Sequence, residues 1–159
     1  MIMGRVLSIA ICSLLSSGMA ATALSAQQAG GATGKQVINP PNARPGVLST
    51  AVKVGDLIYL SGALGTRPGG GGLAEGGIQG QTRQALENIK ASIALAGGAM
   101  EDMVKCTVFL TDVKDFQGMN QVYREFFPSA PPARSTVAVA GLVVPGALIE
   151  IECIAAARK

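Results

Sequence analysis

Histidine and tryptophan are both absent from this sequence of 159 residues, and aromatic residues make up only 4% of it. Without histidine, the chain cannot form Ser-His or Cys-His nucleophile pairs, or any metal site that uses imidazole ligands. The C-x-x-C pattern and the D-x-D-x-D-G calcium loop are also missing. We therefore expect no bound metal, and polar chemistry must use carboxylates, arginine, lysine, tyrosine, hydroxyls, thiols or backbone groups.

The charge pattern excludes a further class of function. The formal net charge is +3, but lysine and arginine are scattered, form no run and do not interleave with aromatic residues. This pattern is typical of a mildly basic surface and disfavours binding to nucleic acid. Hydrophobic residues make up 48% of the chain. A core of valine, isoleucine, leucine, alanine and methionine in one domain is expected at this length.

The first 26 residues resemble a secretory signal peptide. Arg5 supplies a positive start, residues 6–15 form an apolar stretch, and small residues suited to cleavage follow. The stretch is too short and too rich in serine to span a bilayer stably, so a retained anchor is the weaker alternative. Cys12 suggests a lipoprotein, but the large Ile11 before it disfavours that reading. We expect a periplasmic or secreted protein with no stable membrane association after cleavage.

Two cysteines remain once such a leader is removed, Cys106 and Cys153. An oxidising compartment permits a disulfide between them. Both lie in runs typical of strands, which favours two separate, buried, free thiols. Sequence alone does not decide between these alternatives, because it does not give the geometry that a disulfide needs.

The rest of the chain divides into a disordered lead-in, residues 27–36, and one domain, residues 37–159. Within the domain, alternation and helical spacing predict a hairpin, two helices and three further strands. These elements are a hairpin of Ala51–Val54 and Leu57–Leu60, a helix from about Ile78 to Ala96, a strand at Met103–Leu110, a helix from an N-cap at Asp115 to Pro128, and strands at Ser135–Ala140 and Leu148–Ala156. The glycines at 69–72 are interpreted as a surface loop, because no strand-loop-helix context of a phosphate site surrounds them.

This order of elements predicts the α+β class. A mixed sheet of about six strands with both helices on one face accommodates it. The opposite face of the sheet then needs a cover, and self-association is the natural one for so apolar a chain.

Two features near the end of the chain suggest a site. Arg134 follows two prolines at the start of a strand, and arginine is well suited to hold a planar carboxylate. Glu150 and Glu152 alternate with apolar residues, so they share one face of the last strand. If this strand neighbours the strand of Arg134, a carboxylate and a guanidinium can share a pocket. A surface ion pair is the simpler interpretation on spacing alone.

From about Val37 to Ala157 the chain resembles the RidA family (also called the YjgF family) of enamine/imine deaminases. Six motifs match in order: Gly55–Gly62, Gln81–Ile89, Val104–Leu110, Asn120 with Tyr123–Phe127, Pro132–Thr136, and Ile149–Glu152. The resemblance implies a chorismate-mutase-like fold and a homotrimer with sites at the subunit interfaces. It also implies hydrolysis, without a cofactor, of small 2-imino acids to 2-keto acids and ammonia.

The resemblance also implies roles for individual residues. Arg134 holds the substrate carboxylate, and Glu150 matches the family's catalytic glutamate, which positions water and moves a proton. By the same resemblance Ser61, Asn120 and the backbone at Thr136 line the pocket.

Two positions depart from the family pattern. Leu48 replaces a tyrosine that many members have on the first strand, and Thr136 replaces a cysteine. The loss of the tyrosine hydroxyl favours a larger or more apolar substrate. These replacements also motivate an alternative, a non-enzymatic trimer that binds small carboxylates or acts as a chaperone-like protein. The ribonuclease or translation-inhibiting role attached to the family is disfavoured by the absence of histidine and of a basic patch.

Overall fold

Seven strands form one mixed sheet in the computed structural model, which describes residues 34–41, 43 and 46–159. The strands are β1 (Gln36–Ile38), β2 (Ala51–Val54), β3 (Leu57–Leu60), β4 (Ala63–Leu64), β5 (Met103–Leu110), β6 (Ala133–Ala138) and β7 (Ile149–Ala156), and the helices are α1 (Gly77–Leu95) and α2 (Phe116–Phe126). The α+β class and the mixed sheet with two helices are therefore confirmed. The predicted signal peptide, residues 1–26, and residues 27–33 of the lead-in lie outside the described residues.

The strands lie in the order β1-β2-β3-β7-β5-β6, and the short β4 also pairs with β7. Only the pair of β5 and β6 is parallel, and the other pairs are antiparallel. β2 and β3 form the predicted hairpin around Gly55, which has a positive φ of 57°. The last strand therefore lies between β3 and β5, and β6 forms an edge of the sheet.

Helix α1 follows the predicted spacing and buries Leu86, Ile89 and Ile93 completely. It ends at Gly97, where a φ of 78° lets the chain turn back. The N–H groups of Gly97 and Gly98 each donate, over 3.0 Å, to carbonyls of the last helical turn. These bonds satisfy groups that a helix end otherwise leaves without partners.

Helix α2 begins at Phe116, directly after the predicted N-cap Asp115. The side chain of Asp112 accepts a hydrogen bond of 2.9 Å from the N–H of Lys114 and starts a short 3-10 turn over Val113–Asp115. Asp115 already has near-helical backbone angles and makes no capping hydrogen bond with its side chain. The predicted start of the helix is therefore confirmed, but the side chain that caps is Asp112, at the 3-10 turn that precedes the α-helix.

Cys106 and Cys153 form a disulfide between β5 and β7. The two residues lie directly opposite each other in the antiparallel register, and at most 2% of either is exposed. The interpretation as separate free thiols was therefore wrong. Each residue does lie on a strand, but the register of those strands brings the two sulfurs together on one face.

The two faces of the sheet have different surroundings. Buried residues of β5 and β7 alternate with more exposed ones, and the buried set packs beneath the helices to form the core. The other face, which we call the open face, exposes Val54, Leu57 and Tyr59 by about two fifths of their surfaces. No helix in the described part of the chain is long and apolar enough to cross a membrane.

Candidate functional site

Arg134 lies on β6, on the face of the sheet that the helices cover. Its Nη2 donates a hydrogen bond of 2.7 Å to Oδ1 of Asn120, and its Nη1 lies 3.8 Å from the sulfur of Met119. A guanidinium has five N–H donors, and a thioether is a weak acceptor. Asn120 therefore orients the group while most of its donors stay available for a ligand.

Two aromatic rings of α2 complete the surroundings of Arg134. Its Cζ atom lies 4.6 Å from the ring centroid of Tyr123 and 5.8 Å from that of Phe116. Both distances are within the range of cation–π attraction. Burial raises the pKa of Tyr123 to about 12, although the positive charge of Arg134 acts in the opposite direction. The phenol is therefore neutral at physiological pH.

A cleft of about 400 Å³ opens beside this arginine. It is lined by Asn120, Tyr123, Arg124, Phe127, Pro131, Pro132 and Arg134. The lining of the cleft thus combines two cationic side chains and one amide with aromatic and proline rings. This composition suits a small molecule that carries a carboxylate and an apolar part.

Thr136 lies two residues further along β6, on the same face as Arg134. It is half-buried and lines a second, mostly apolar cleft of about 260 Å³ together with Leu110, Val113 and Phe116. Phe116, whose ring centroid lies 5.8 Å from Cζ of Arg134, thus also lines this second cleft. Arg134, Asn120 and Thr136, with the aromatic rings beside them, form what we call the guanidinium cluster.

Glu150 lies on β7, on the open face, opposite Phe109 of β5 and Leu64 of β4. Its carboxylate lies directly against Gly62, where an added Cβ atom would overlap Oε1 of Glu150. A side chain at position 62 would therefore displace this carboxylate, and the backbone angle of Gly62 is not one that requires glycine. The predicted alternation of Glu150 and Glu152 with buried residues is confirmed.

Ser61 is the chain neighbour of Gly62, and Leu48 is the chain neighbour of Ser49. Ser61 donates from its hydroxyl to the carbonyl of Ser49 over 2.6 Å, and its N–H donates to Thr50 over 3.1 Å. These bonds join the segment before β2 to the segment that carries Gly62. Leu48 is 69% exposed beside this junction. Glu150, Ser61 and Leu48, together with Gly62, form what we call the carboxylate cluster.

The two clusters do not meet within one chain. β5 lies between β6 and β7, and Arg134 pairs with Cys106 whereas Glu150 pairs with Phe109. Strand spacing and rise place the Cα atoms of Arg134 and Glu150 about 14 Å apart, and their side chains leave opposite faces. The hypothesis that adjacent strands bring them into a shared pocket was therefore wrong for a single chain.

Sequence reasoning left two residues of the Gln81–Ile89 motif without a role. Gln81 is buried, accepts from the N–H of Leu148 over 2.8 Å and donates to Gly146 over 3.2 Å. Asn88 donates to the carbonyls of Leu64 and Thr66 over 3.0 and 2.9 Å. Both amides anchor loops to α1, and Asn88 thereby holds β4 beside Glu150. Their polar side chains within a helix that faces the core were the available indication.

Comparison with known proteins adds a consistent set of relatives. The model of the family described as endoribonuclease L-PSP matches residues 40–157. A RutC family protein of Pyrococcus horikoshii is 45% identical over 123 residues, which cover 76% of this chain and 97% of that protein. A 2-iminobutanoate/2-iminopropanoate deaminase of Capra hircus is 44% identical over 110 residues, which cover 69% and 80%. The crystal structure of RidA from an Antarctic Psychrobacter superposes with a TM-score of 0.69 at 42% identity, covering 76% and 98%.

Proposed function

The chain belongs to the endoribonuclease L-PSP family, which is the RidA (YjgF) family, and from this we propose that it is an imine deaminase. In the proposed reaction, water adds to the C=N carbon of a 2-imino acid, and ammonia then leaves to give a 2-keto acid. Relatives at 42–44% identity carry the name 2-iminobutanoate/2-iminopropanoate deaminase, which supports this class of substrate. The observation that carries the proposal is the guanidinium of Arg134, which Asn120 orients beside a cleft of about 400 Å³.

Arg134 binds the substrate carboxylate through parallel N–H donors, as arginine does in bidentate pairs. Glu150 accepts a proton from the attacking water and returns it to the departing nitrogen. General acid–base help of this kind contributes about 10²–10⁴-fold. The steps need only side chains of the chain and water, so the proposed reaction uses no cofactor.

Assembly is part of the proposal, because one chain keeps Arg134 and Glu150 on opposite faces of the sheet. We propose a homotrimer in which the guanidinium cluster of one copy meets the carboxylate cluster of the next. The partly exposed apolar residues of the open face support self-association, since such surfaces are normally covered. A closed ring of copies provides one such junction per chain.

Export is also proposed, to the periplasm or the outside of the cell. The signal-like residues 1–26 motivate this proposal, and the disulfide between Cys106 and Cys153 supports it. Disulfides persist in oxidising compartments and are rare in the reducing cytosol. Fractionation of the native host, with the N-terminus of the mature chain determined by mass spectrometry, tests the location directly.

The test of the activity follows imino acids that an amino-acid oxidase generates in the assay. We expect the purified domain to accelerate release of the 2-keto acid, and Arg134→Ala to abolish that acceleration. Activity that survives Arg134→Ala unchanged would contradict the proposal. Tight binding of 2-oxobutanoate without turnover would instead favour a trimeric carboxylate-binding protein.

A further inference from the structure

We propose that Tyr123 is a positioning residue for Arg134, whose guanidinium it holds in the orientation that grips a carboxylate. The inference rests on the proposed function only in taking Arg134 as the carboxylate anchor. It concerns a residue that lines the same cleft and that, in this proposal, acts on the substrate carboxylate through the arginine.

The first support is the geometry of α2. Phe116, Asn120 and Tyr123 are spaced by four and three residues, so they lie on one face of the helix. That face meets Arg134, with Asn120 bonded to Nη2 and the ring of Tyr123 4.6 Å from Cζ. One helix thus restrains the guanidinium both by a hydrogen bond and by a ring face.

The second support is the hydroxyl of Tyr123, which is buried and has no hydrogen-bond partner among the described residues. Only 4% of the residue is exposed, and its ring also packs against Phe127 at a centroid distance of 4.7 Å. The ring rather than the hydroxyl faces Cζ of Arg134, so the inference assigns the contribution of this residue to its ring. Phenylalanine at position 123 keeps that ring, which makes the substitution a direct test.

The expected kinetic effect follows from what Arg134 does. The substrate carboxylate stays bound to Arg134 in both the ground state and the transition state. Weaker binding of the carboxylate therefore raises KM more than it lowers kcat. A cation–π contact in a partly desolvated place corresponds to about a 3- to 30-fold change in binding. We expect Tyr123→Leu to raise KM for 2-iminobutanoate within that range and to leave kcat within about twofold.

The experiment compares Tyr123→Leu and Tyr123→Met with Tyr123→Phe and with Phe126→Leu. Phe126 lies on the same helix and packs against the core, so Phe126→Leu controls for the loss of an aromatic ring from α2. Besides kinetics, isothermal titration measures the binding of 2-oxobutanoate and of its uncharged amide. We expect Tyr123→Leu to weaken binding of the acid but not of the amide, and Tyr123→Phe to restore binding of the acid.

A double-mutant cycle separates this inference from the proposed activity. In the background of Arg134→Met, Tyr123→Leu should weaken binding of 2-oxobutanoate no further, because the group that it positions is gone. Tyr123→Met retains flexible apolar volume and serves if the leucine variant does not fold. Three results would overturn the inference. The first is an equal loss of binding for the acid and the amide in Tyr123→Leu, and the second is an equal effect of Phe126→Leu. The third is unchanged binding of the acid in both Tyr123→Leu and Tyr123→Met. Absence of turnover in the wild type would overturn only the proposed activity.

Discussion

The helix-covered face and the open face of the sheet are built from the same strands, yet they hold their functional residues in different ways. On the covered face, Arg134 is restrained by Asn120 and two aromatic rings beside a filled core. On the open face, Glu150 is half-buried against Gly62, and apolar side chains around it are partly exposed. One chain thus restrains Arg134 through side chains of α2, whereas Glu150 lies on the open face.

The largest expected effect comes from removing one residue from each face. We expect Arg134→Ala to abolish deamination and Glu150→Gln to lower kcat by about 10²–10⁴-fold. If the site joins two copies, an equal mixture of the two inactive chains regains activity after joint refolding. Random assembly gives about one quarter of the junctions both native residues. The assay with an amino-acid oxidase measures this, and a mixture that stays inactive despite forming mixed trimers would contradict a site that joins the two residues across copies.

A large effect on stability is expected from the disulfide on the covered face. Replacing Cys106 and Cys153 by alanine removes a crosslink between residues 47 positions apart. Loop-closure entropy puts the loss at about 4 kcal/mol of unfolding free energy. Urea unfolding, with and without dithiothreitol, measures the loss. The double variant should be insensitive to the reductant, and equal stability of the wild type in both conditions would contradict the expectation.

Gly62→Ala perturbs only the carboxylate cluster. An added Cβ atom overlaps Oε1 of Glu150, so the carboxylate must move. We expect kcat to fall by about 10- to 100-fold, since small displacements of a catalytic group are costly. Binding of 2-oxobutanoate at Arg134 should change less. Gly141→Ala is the matched control, because no heavy atom lies within 4 Å of its added Cβ and its φ is ordinary.

The smallest expected effect lies away from both clusters, at Asp102. Burial raises the pKa of its carboxyl, but hydrogen bonds from Arg158 and the N–H of Ala99, with the charge of Arg158, lower it overall. A lowered pKa stabilises the fold above the unfolded value of 3.8, and this stability is lost as pH falls through the folded pKa.

Asp102→Asn should therefore lower the midpoint of urea unfolding at pH 7, and its difference from the wild type should shrink toward pH 3. Glu101→Gln is the control, since its side chain is 82% exposed and lies 3.9 Å from Arg158. If the difference in urea midpoint between the wild type and Asp102→Asn stays constant across this pH range, the substitution acts through packing and not through charge.

The elements that sequence predicted well are those with long periodic patterns. α1, β5 and β7 each bury one face, so their spacing is visible in the chain itself. β1 and β4 have three and two residues, which are too few to show a period, and each exists only through a partner strand. β6 was predicted two residues late, because its start depends on pairing of Ala133 with Lys105.

The residues of the candidate site also divide into those that the sequence pattern selects and those whose role depends on the fold. The residue types and their motifs predict Arg134 and Glu150 as site residues, which stays a prediction, and place Glu150 on the less buried face of its strand, which is confirmed. Tyr123 and Gly62 could not be assigned roles from sequence, since each acts on a residue at least eleven positions away. The expectation of a shared pocket was wrong because it needed β7 to lie beside β6. The order of strands in a sheet cannot be read from the periodicity of the individual strands.

By itself, the sequence determined the class of fold, the family and the chemical groups that the chain brings to a site. These depend on local spacing and on residue identity, which are properties of the linear chain. The tertiary structure decided that the two cysteines are bonded, that the ring of Tyr123 lies 4.6 Å from Cζ of Arg134, and that the guanidinium and the carboxylate leave opposite faces of the sheet. Each of these depends on the register and order of strands, which long-range pairing sets and short-range pattern does not.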